Sequence, residues 1–265
     1  MSLQIDTLAY TNKLRRLAPA QKLLFAIALL LISNFSHPPV QILIAAWMSI
    51  WTIFYAGIPA KIYLKLVYIP ILFWLTSLPA LVINGVTINH LSFIQNDIVN
   101  GVNIGNYYLY ISKHGIEQGW SIFTRAIAAI SCFYFVMLTI PFTDLLKTFR
   151  RIGLPILITD LLLLMYRFIF VLLNTASELW VAQQSRSGYR TFNLSMKSLS
   201  LLIGQLLQRT LEKYHQVSLS LESRGFNGEF QVWHSSRYYI SKRYAMEAIF
   251  GCLILMELEF KRYIF

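Results

Sequence analysis

Residues 119–140 read GWSIFTRAIAAISCFYFVMLTI, a run in which Arg125 is the one formal charge and which Pro141 follows directly. About 20 predominantly apolar residues are enough for an α-helix to cross the hydrocarbon core of a bilayer. Proline lacks a backbone N–H and disfavours the helix interior, so Pro141 favours a helix that ends before it. The run therefore predicts a transmembrane helix over about 119–140.

The composition of the whole chain also indicates membrane insertion. Hydrophobic residues make up 56% of the 265 residues and charged residues only 13%, whereas a soluble domain has about 25% charged residues. The net charge of +11 would suit a nucleic-acid-binding protein. In so apolar a chain, it is better explained by the excess of Lys and Arg in cytoplasmic segments of membrane proteins. We predict an all-α, polytopic protein of the lipid bilayer that does not bind nucleic acid.

Four further apolar stretches predict transmembrane helices, at about 22–36, 40–57, 62–83 and 244–260. A cleaved signal peptide is the alternative for the first stretch, because basic residues precede it. No small-x-small cleavage site follows that stretch, so we interpret it as a membrane span. The sequence thus predicts about five transmembrane helices.

Charge distribution predicts which segments face the cytoplasm. Segment 141–243 has 13 Lys and Arg against 6 Asp and Glu, a net +7, whereas 84–118 has six Asn, four Gly and only three formal charges. Lys and Arg favour cytoplasmic segments, so 141–243 and the N-terminus are predicted to be cytoplasmic and 84–118 an outer loop. The predicted organisation is a membrane region with four spans and that loop (1–140), cytoplasmic coupling helices (141–243) and a closing transmembrane helix (244–265).

Three helices are predicted in the cytoplasmic segment, at about 144–152, 156–186 and 197–224. A sixth membrane span is the alternative for 156–174. It would carry Asp160 and Arg167 into the bilayer, at about 2.5–3.5 kcal/mol for each near the centre, so we prefer a helix along or beneath the membrane. The third helix is amphipathic and about 42 Å long, which suits a membrane-surface anchor or a docking element.

Two short segments end these last two helices: Ser185-Arg186-Ser187-Gly188 and Ser223-Arg224-Gly225. A glycine just past the last helical turn suits a left-handed cap, so each arginine is expected at a helix C-terminus. One such arginine would not by itself indicate a binding site, because the helix dipole favours cations at a helix C-terminus. Two of them predict a pair of contacts with acidic sites on another protein.

These residues resemble the transmembrane coupling subunit, or T component, of energy-coupling factor importers, a branch of the ABC transporters. That family carries two Ala-Arg-Gly signatures, whose counterparts here are Ser185-Arg186-Ser187 and Ser223-Arg224-Gly225. Ser187 in place of glycine is the larger departure, and Gly188 is expected to supply the turn one residue later. Further similarity lies in Pro141-Phe-Thr-Asp-Leu-Leu-Lys147, Arg150-Arg151-Ile-Gly-Leu-Pro155, Met165-Tyr-Arg-Phe168 and Leu219-Ser-Leu-Glu-Ser-Arg-Gly-Phe226.

The N-terminal stretch Ile5-Asp6-Thr-Leu-Ala-Tyr10-Thr-Asn-Lys-Leu-Arg15 is similar to the cobalt-importing branch, CbiQ, and not to the vitamin-importing branch. The resemblance implies two cytosolic ATPases that bind ATP and Mg²⁺, a separate membrane subunit that captures the substrate, and this chain as the link between them in the plasma membrane. It implies ATPase coupling by Arg186 and Arg224 with their neighbours Ser185, Ser187, Gly188, Ser223 and Gly225. Cobalt is the expected cargo, with nickel or a vitamin as alternatives.

The sequence predicts no catalytic residues, cofactor site or metal site in this chain. No GxxxxGK[ST] phosphate loop is present, so ATP hydrolysis is expected in the partner subunits. The histidines lack HxH or i,i+4 spacing, although His90 and His114 could meet at the outer loop. The alternative function classes are a membrane-embedded lipid-modifying enzyme, which would need clustered acids or histidines, and a secondary transporter, which would normally show internal repeats.

Overall fold

A computed structural model describes residues 2–87, 98–104, 107–225 and 238–264. In chain order, the elements are α1 (Ser2–Thr11), α2 (Pro19–Phe35), α3 (Pro38–Ile50) with a π-helical turn (Trp51–Tyr55), α4 (Ala60–Val82), β1 (Ile83–Thr87), β2 (Ile98–Ile104), β3 (Tyr107–Ser112), α5 (Lys113–Thr139), α6 (Phe142–Ile152), α7 (Ile156–Ser185), α8 (Phe192–Ser223) and α9 (Lys242–Ile264). The prediction of an all-α polytopic membrane protein is confirmed, with the addition of one small sheet.

The chain divides into two compact units. The first unit contains Met1–Leu145 and Ser236–Phe265, and the second contains Leu146–Ser235. The closing helix α9 therefore belongs to the same unit as the N-terminal helices. The boundary falls inside α6, which is one continuous helix.

Helix α5 forms the centre of the first unit. Ala128, Cys132, Phe135 and Leu138 recur at helical spacing along one face of α5 and are all buried, and α2, α3 and α4 pack against this helix. The Phe135 ring meets the Phe25 ring of α2 edge-on at 6.0 Å between centroids. Such aromatic contacts add to the apolar area that these helices bury together.

A buried glutamine is hydrogen-bonded on both sides within this core. Gln41 of α3 is 0% exposed. Its Nε2 donates to the carbonyl oxygens of Ser33 (3.1 Å) and Ser36 (2.7 Å), and its Oε1 accepts from Thr124 Oγ1 of α5 at 2.6 Å. Because an unsatisfied polar group costs several kcal/mol in an apolar surrounding, this network ties α2, α3 and α5 in one arrangement.

Helix α9 packs against α3 through a glycine and an aromatic ring. A Cβ atom added to Gly251 would lie 2.3 Å from the Trp47 ring, so only glycine permits this approach. In the first turn of α9, the Tyr244 ring contacts the rings of Trp51 and Tyr55 in the π-helical turn, with centroids 5.9 and 5.8 Å apart. The predicted last helix, about 244–260, is thus present as α9 and contributes to the core of the first unit.

Among the described residues, four helical stretches are long and apolar enough to cross a membrane: Pro38–Tyr55, Ala60–Val82, Lys113–Thr139 and Ile156–Ser185. The first three match predicted spans, and the short predicted span 22–36 matches the shorter apolar helix Pro19–Phe35. Helix α7 qualifies by length and composition, so the alternative of a sixth span stays open. Helix α9 is outside this group because charged residues, among them Glu257 and Glu259, interrupt its apolar sequence.

The predicted outer loop 84–118 contains regular structure that the sequence analysis did not predict. The segment contains an antiparallel three-stranded sheet of order β1-β3-β2, in which Ile83 pairs with Ile111 and Thr87 with Tyr107. Helix α5 also begins at Lys113, earlier than the predicted 119. The Asn and Gly content indicated a loop, but Tyr and Ile in β3 favour a strand once a partner strand is available. That pairing is a long-range contact, which local composition does not reveal.

Candidate functional site

The predicted coupling residues lie in the second unit, at the ends of α7 and α8. The two helices run antiparallel where they touch. Near their connection, Ser198 Oγ of α8 donates to the Gly188 carbonyl oxygen at 2.8 Å. Farther along, Lys213 Nζ of α8 donates to Thr175 Oγ1 of α7 at 2.8 Å. These bonds fix the two helices as a pair.

Helix α7 ends in a Schellman motif built around Arg186. Arg186 is the C-cap residue with φ −94°, and Ser187 follows in the left-handed region with φ 55°. The Gly188 N–H donates to Gln183 O and the Ser187 N–H to Gln184 O, both at 3.0 Å, which is the paired bonding of this motif. The Ser185 hydroxyl donates back to Ala182 O at 2.9 Å.

Helix α8 ends in a similar turn around Arg224. Arg224 is the C-cap residue with φ −95°, and Gly225 follows with φ 68°. The Gly225 N–H donates to Glu222 O at 3.0 Å, and the Ser223 hydroxyl donates to Ser220 O at 2.9 Å. The two helix ends therefore present a serine, an arginine and a left-handed residue in matching geometry.

Both arginines are exposed, and α8 holds them far apart. Gly188, two residues after Arg186, contacts Ser198 in α8, and Arg224 lies 26 residues beyond Ser198. At a rise of about 1.5 Å per residue, that stretch of helix is about 39 Å long. The arrangement suits two separate contacts and does not suit one shared binding pocket.

The expectation that Gly188 supplies the first turn is wrong. Ser187 itself adopts the left-handed conformation. Gly188 is required for a different reason, since a Cβ atom there would lie 2.7 Å from Ser198 Oγ and 2.9 Å from Gln183 O. The stacked rings of Trp180 and Tyr189, 4.2 Å apart, brace the same turn. Sequence reasoning missed this pair, although two aromatic residues flanking a proposed turn are a usable signal.

We expect Ser187→Gly to stabilise the end of α7, because a side chain in the left-handed region costs about 1 kcal/mol that glycine avoids. Amide hydrogen exchange of residues 183–188 in the purified protein should slow by about fivefold. Ser187→Val, with a β-branched side chain at the same position, should exchange faster than wild type. Equal exchange in all three proteins would contradict a left-handed Ser187.

No group of three or more His, Cys, Asp or Glu side chains that could hold a metal ion occurs in the part of the chain that the structure describes. The His37 ring pairs with Glu259, which also accepts the His37 backbone N–H. His114 Nε2 lies 2.9 Å from Gln118 Nε2. The predicted alternative of a His90–His114 site cannot be placed, since His90 is outside the described residues, as is His234.

Comparison with known proteins identifies the family. The sequence profile of the family described as CbiQ, cobalt transport protein, matches residues 10–233. The uncharacterized protein MJ1089 of Methanocaldococcus jannaschii is 31% identical over 95% of this chain and 91% of its own length. The cobalt transport protein CbiQ of Salmonella typhimurium is 28% identical over 86% of this chain and 99% of its own. The putative fused cobalt transport protein CbiMQ of Methanocorpusculum labreanum is 29% identical over 84% of this chain, which covers 36% of that protein.

Proposed function

Because this chain belongs to the CbiQ family of cobalt transport proteins, we propose that it is the transmembrane coupling subunit of an energy-coupling factor importer. It is an integral membrane protein and a non-enzymatic transporter component. In the proposed complex, it transmits the ATP-driven motion of two cytosolic ATPase subunits to a membrane subunit that captures the substrate. ATP and Mg²⁺ bind to the ATPases, and this chain needs no cofactor of its own.

The observation that carries the proposal is the repeated geometry at Arg186 and Arg224. Each guanidinium is exposed at a helix end whose backbone conformation is set by a left-handed residue. A planar guanidinium pairs with a carboxylate through two parallel hydrogen bonds, which a lysine does not reproduce. Each arginine would enter an acidic groove on one ATPase, and α8 would hold the two attachment points about 39 Å apart or somewhat more.

The coupling step follows from this arrangement. When ATP closes the two ATPases, the two grooves approach each other and push the two attached helix ends toward one another. The α7–α8 pair is held by the Lys213–Thr175 and Ser198–Gly188 bonds, so it resists bending and changes its tilt. A tilt of the pair, in which packed helices slide past their neighbours, is a shear motion. It would pass through α6 into the first unit.

A substrate-capture partner and cobalt cargo are also part of the proposal. The fused relative carries sequence beyond the 36% that this chain matches, which supports a partner component in the same transporter. Cobalt is supported by the names of the family and of two relatives. Nickel is the runner-up, since the same imidazole, thiolate and carboxylate ligands suit both ions. We place the ligands for the ion in the capture subunit.

Affinity purification tests the proposal directly. A tagged form of this chain, expressed with ATPase and capture subunits from the same genome, should recover ATPase chains from detergent-solubilised membranes. The chain expressed alone should show no ATP hydrolysis. Failure to recover ATPases under conditions in which the chain is well folded would contradict the coupling role.

For the topology, we expect the N-terminus and residues 141–243 to be cytoplasmic and 84–118 to be outside. Cysteines placed in 84–118, in a chain without Cys132 and Cys252, should react with an impermeant maleimide in intact cells. Those placed in 187–197 should react only after permeabilisation. The reason is the contrast between a segment of net +7 and a segment with three formal charges. Labelling of a cysteine at position 190 from outside would overturn this assignment and support α7 as a sixth span.

A further inference from the structure

A buried lysine lies in the first unit where the N-terminal segment, α5 and α6 meet. Lys22, in the first turn of α2, is 2% exposed. Its Nζ donates to the carbonyl oxygen of Leu14 at 3.1 Å and to that of Thr139, the last residue of α5, at 2.8 Å. A buried ammonium without partners would cost several kcal/mol. These two bonds satisfy two of its three donors.

Asn12 supplements the lysine at the end of α5. The Asn12 side-chain amide donates to Leu138 O at 3.4 Å and Thr139 O at 3.3 Å, and to Ala9 O of its own helical turn at 2.7 Å. The last carbonyl groups of an α-helix have no partner within the helix. At α5, the carbonyl groups of Leu138 and Thr139 accept from side chains of the N-terminal segment and α2. The positive charge of Lys22 also suits the negative end of the α5 dipole.

The first turn of α6 supplies the opposite charge. Asp144 is 6% exposed and interacts electrostatically with the Lys22 ammonium. The neighbouring Thr143 Oγ1 lies 3.4 Å from the Tyr10 hydroxyl of α1. Two residues, Ile140 and Pro141, separate α5 from α6, so the lysine lies between the end of one helix and the start of the next. We call Asn12, Lys22, Thr139 and Asp144 the α5–α6 joint.

The position of the joint relates it to coupling. Helix α6 is continuous across the boundary between the two units, which falls between Leu145 and Leu146. A displacement of the second unit that is carried along α6 therefore reaches the first unit at the first turn of this helix. If that turn moved alone, the Asp144 carboxylate would move away from the buried Lys22 ammonium, and the attraction between the two charges would be lost.

Resting on the proposed coupling function, we infer that Lys22 is a positioning residue that makes α5 follow the movement of α6. The joint converts the tilt of the coupling helices into a displacement of the central transmembrane helix. Without the lysine, the first turn of α6 can move relative to α5, and ATP hydrolysis proceeds without transport. Two of the segments whose similarity indicated the family, 5–15 and 141–147, supply residues to this joint.

The test compares hydrolysis with transport in the full complex. Proteoliposomes containing this chain, both ATPases and the capture subunit are assayed for ATP hydrolysis and for cobalt uptake. For Lys22→Met, we expect hydrolysis within about twofold of wild type and cobalt uptake per ATP at least tenfold lower. Lys61→Met is the matched control, because Lys61 is exposed at the start of α4. Its cobalt uptake per ATP hydrolysed should equal that of wild type.

A double variant separates positioning from folding. Lys22→Met alone leaves Asp144 buried without its cation and is expected to lower the thermal stability of the complex. Lys22→Met/Asp144→Asn removes both charges, so thermal stability should recover while the uptake-to-hydrolysis ratio stays at least tenfold low. The inference would be overturned if Lys22→Met had the wild-type ratio of cobalt uptake to ATP hydrolysis. It would also be overturned if this ratio recovered together with thermal stability in the double variant. A wild-type complex without ATP-dependent uptake would instead contradict the proposed function.

Discussion

Arg224→Ala is expected to remove the ATPase subunits from the purified complex while the chain remains inserted in the membrane. Truncating a hydrogen-bonded charge that is buried at an interface typically costs about 2–5 kcal/mol, much of it from the partner carboxylate left unpaired. At 1.4 kcal/mol per tenfold change, that corresponds to at least about 30-fold weaker association. Recovery of ATPase chains on the tagged subunit, quantified against wild type, measures the effect.

Matched variants separate the role of Arg224 from the loss of a positive charge on α8. Arg209 is exposed on the same helix but away from its end, and Arg209→Ala should leave ATPase recovery unchanged. Arg224→Lys should restore little, because an ammonium is a point charge and not a planar fork. Arg186→Ala should also lower the recovery of ATPase chains. We expect a smaller decrease than for Arg224→Ala, because the turn after Arg186 has Ser187 in place of glycine. Unchanged ATPase recovery together with unchanged uptake in Arg224→Ala would contradict the assignment.

Vesicles that contain this chain alone are expected to show neither ATP hydrolysis nor cobalt uptake, and both activities should appear in vesicles of the full complex. The reason is that this chain lacks a phosphate-binding loop and is proposed to transmit motion between other subunits. Removing ATP or Mg²⁺ from the complex should reduce uptake to the background level. Uptake by the isolated chain would support a secondary transporter.

Competition in the same assay identifies the cargo. Excess nickel should compete with cobalt, and a panel of vitamins should not. Replacing His37, His90, His114, His215 and His234 by alanine, one at a time, should leave the metal affinity of the complex unchanged. Transport of a vitamin without metal transport would move the chain to the vitamin-importing branch. Loss of metal binding on replacing His90 or His114 would place part of the site in the outer loop.

Much of the helical framework was predictable from local sequence. The starts and ends of α4 and α7 lie within a few residues of the predicted 62–83 and 156–186, because prolines and glycines mark those ends. The arginine turns were predictable for the same reason, since helix C-termini carry local signals. Whether these turns bind ATPases stays a prediction.

Three features were not predictable because they depend on residues distant in the chain. The sheet in the outer segment requires β3 to pair with two other strands. The need for glycine at position 251 comes from the close approach of Trp47, which lies about 200 positions earlier in the chain. The α5–α6 joint brings together Asn12, Lys22 and Asp144. In the sequence, these are a polar residue, a charge at the start of a predicted span and an acidic residue at the start of a predicted helix.

Local sequence features are enough to establish a polytopic helical membrane protein with two arginines at helix ends. Hydropathy, charge asymmetry and helix-end residues act within one element, so they can be recognised without knowing its neighbours. By contrast, the packing of the helices sets which groups satisfy the polar side chains buried between elements, such as Gln41 and Lys22. A buried polar group is tolerated only beside its partner, and which residue becomes that partner is a consequence of how the helices pack.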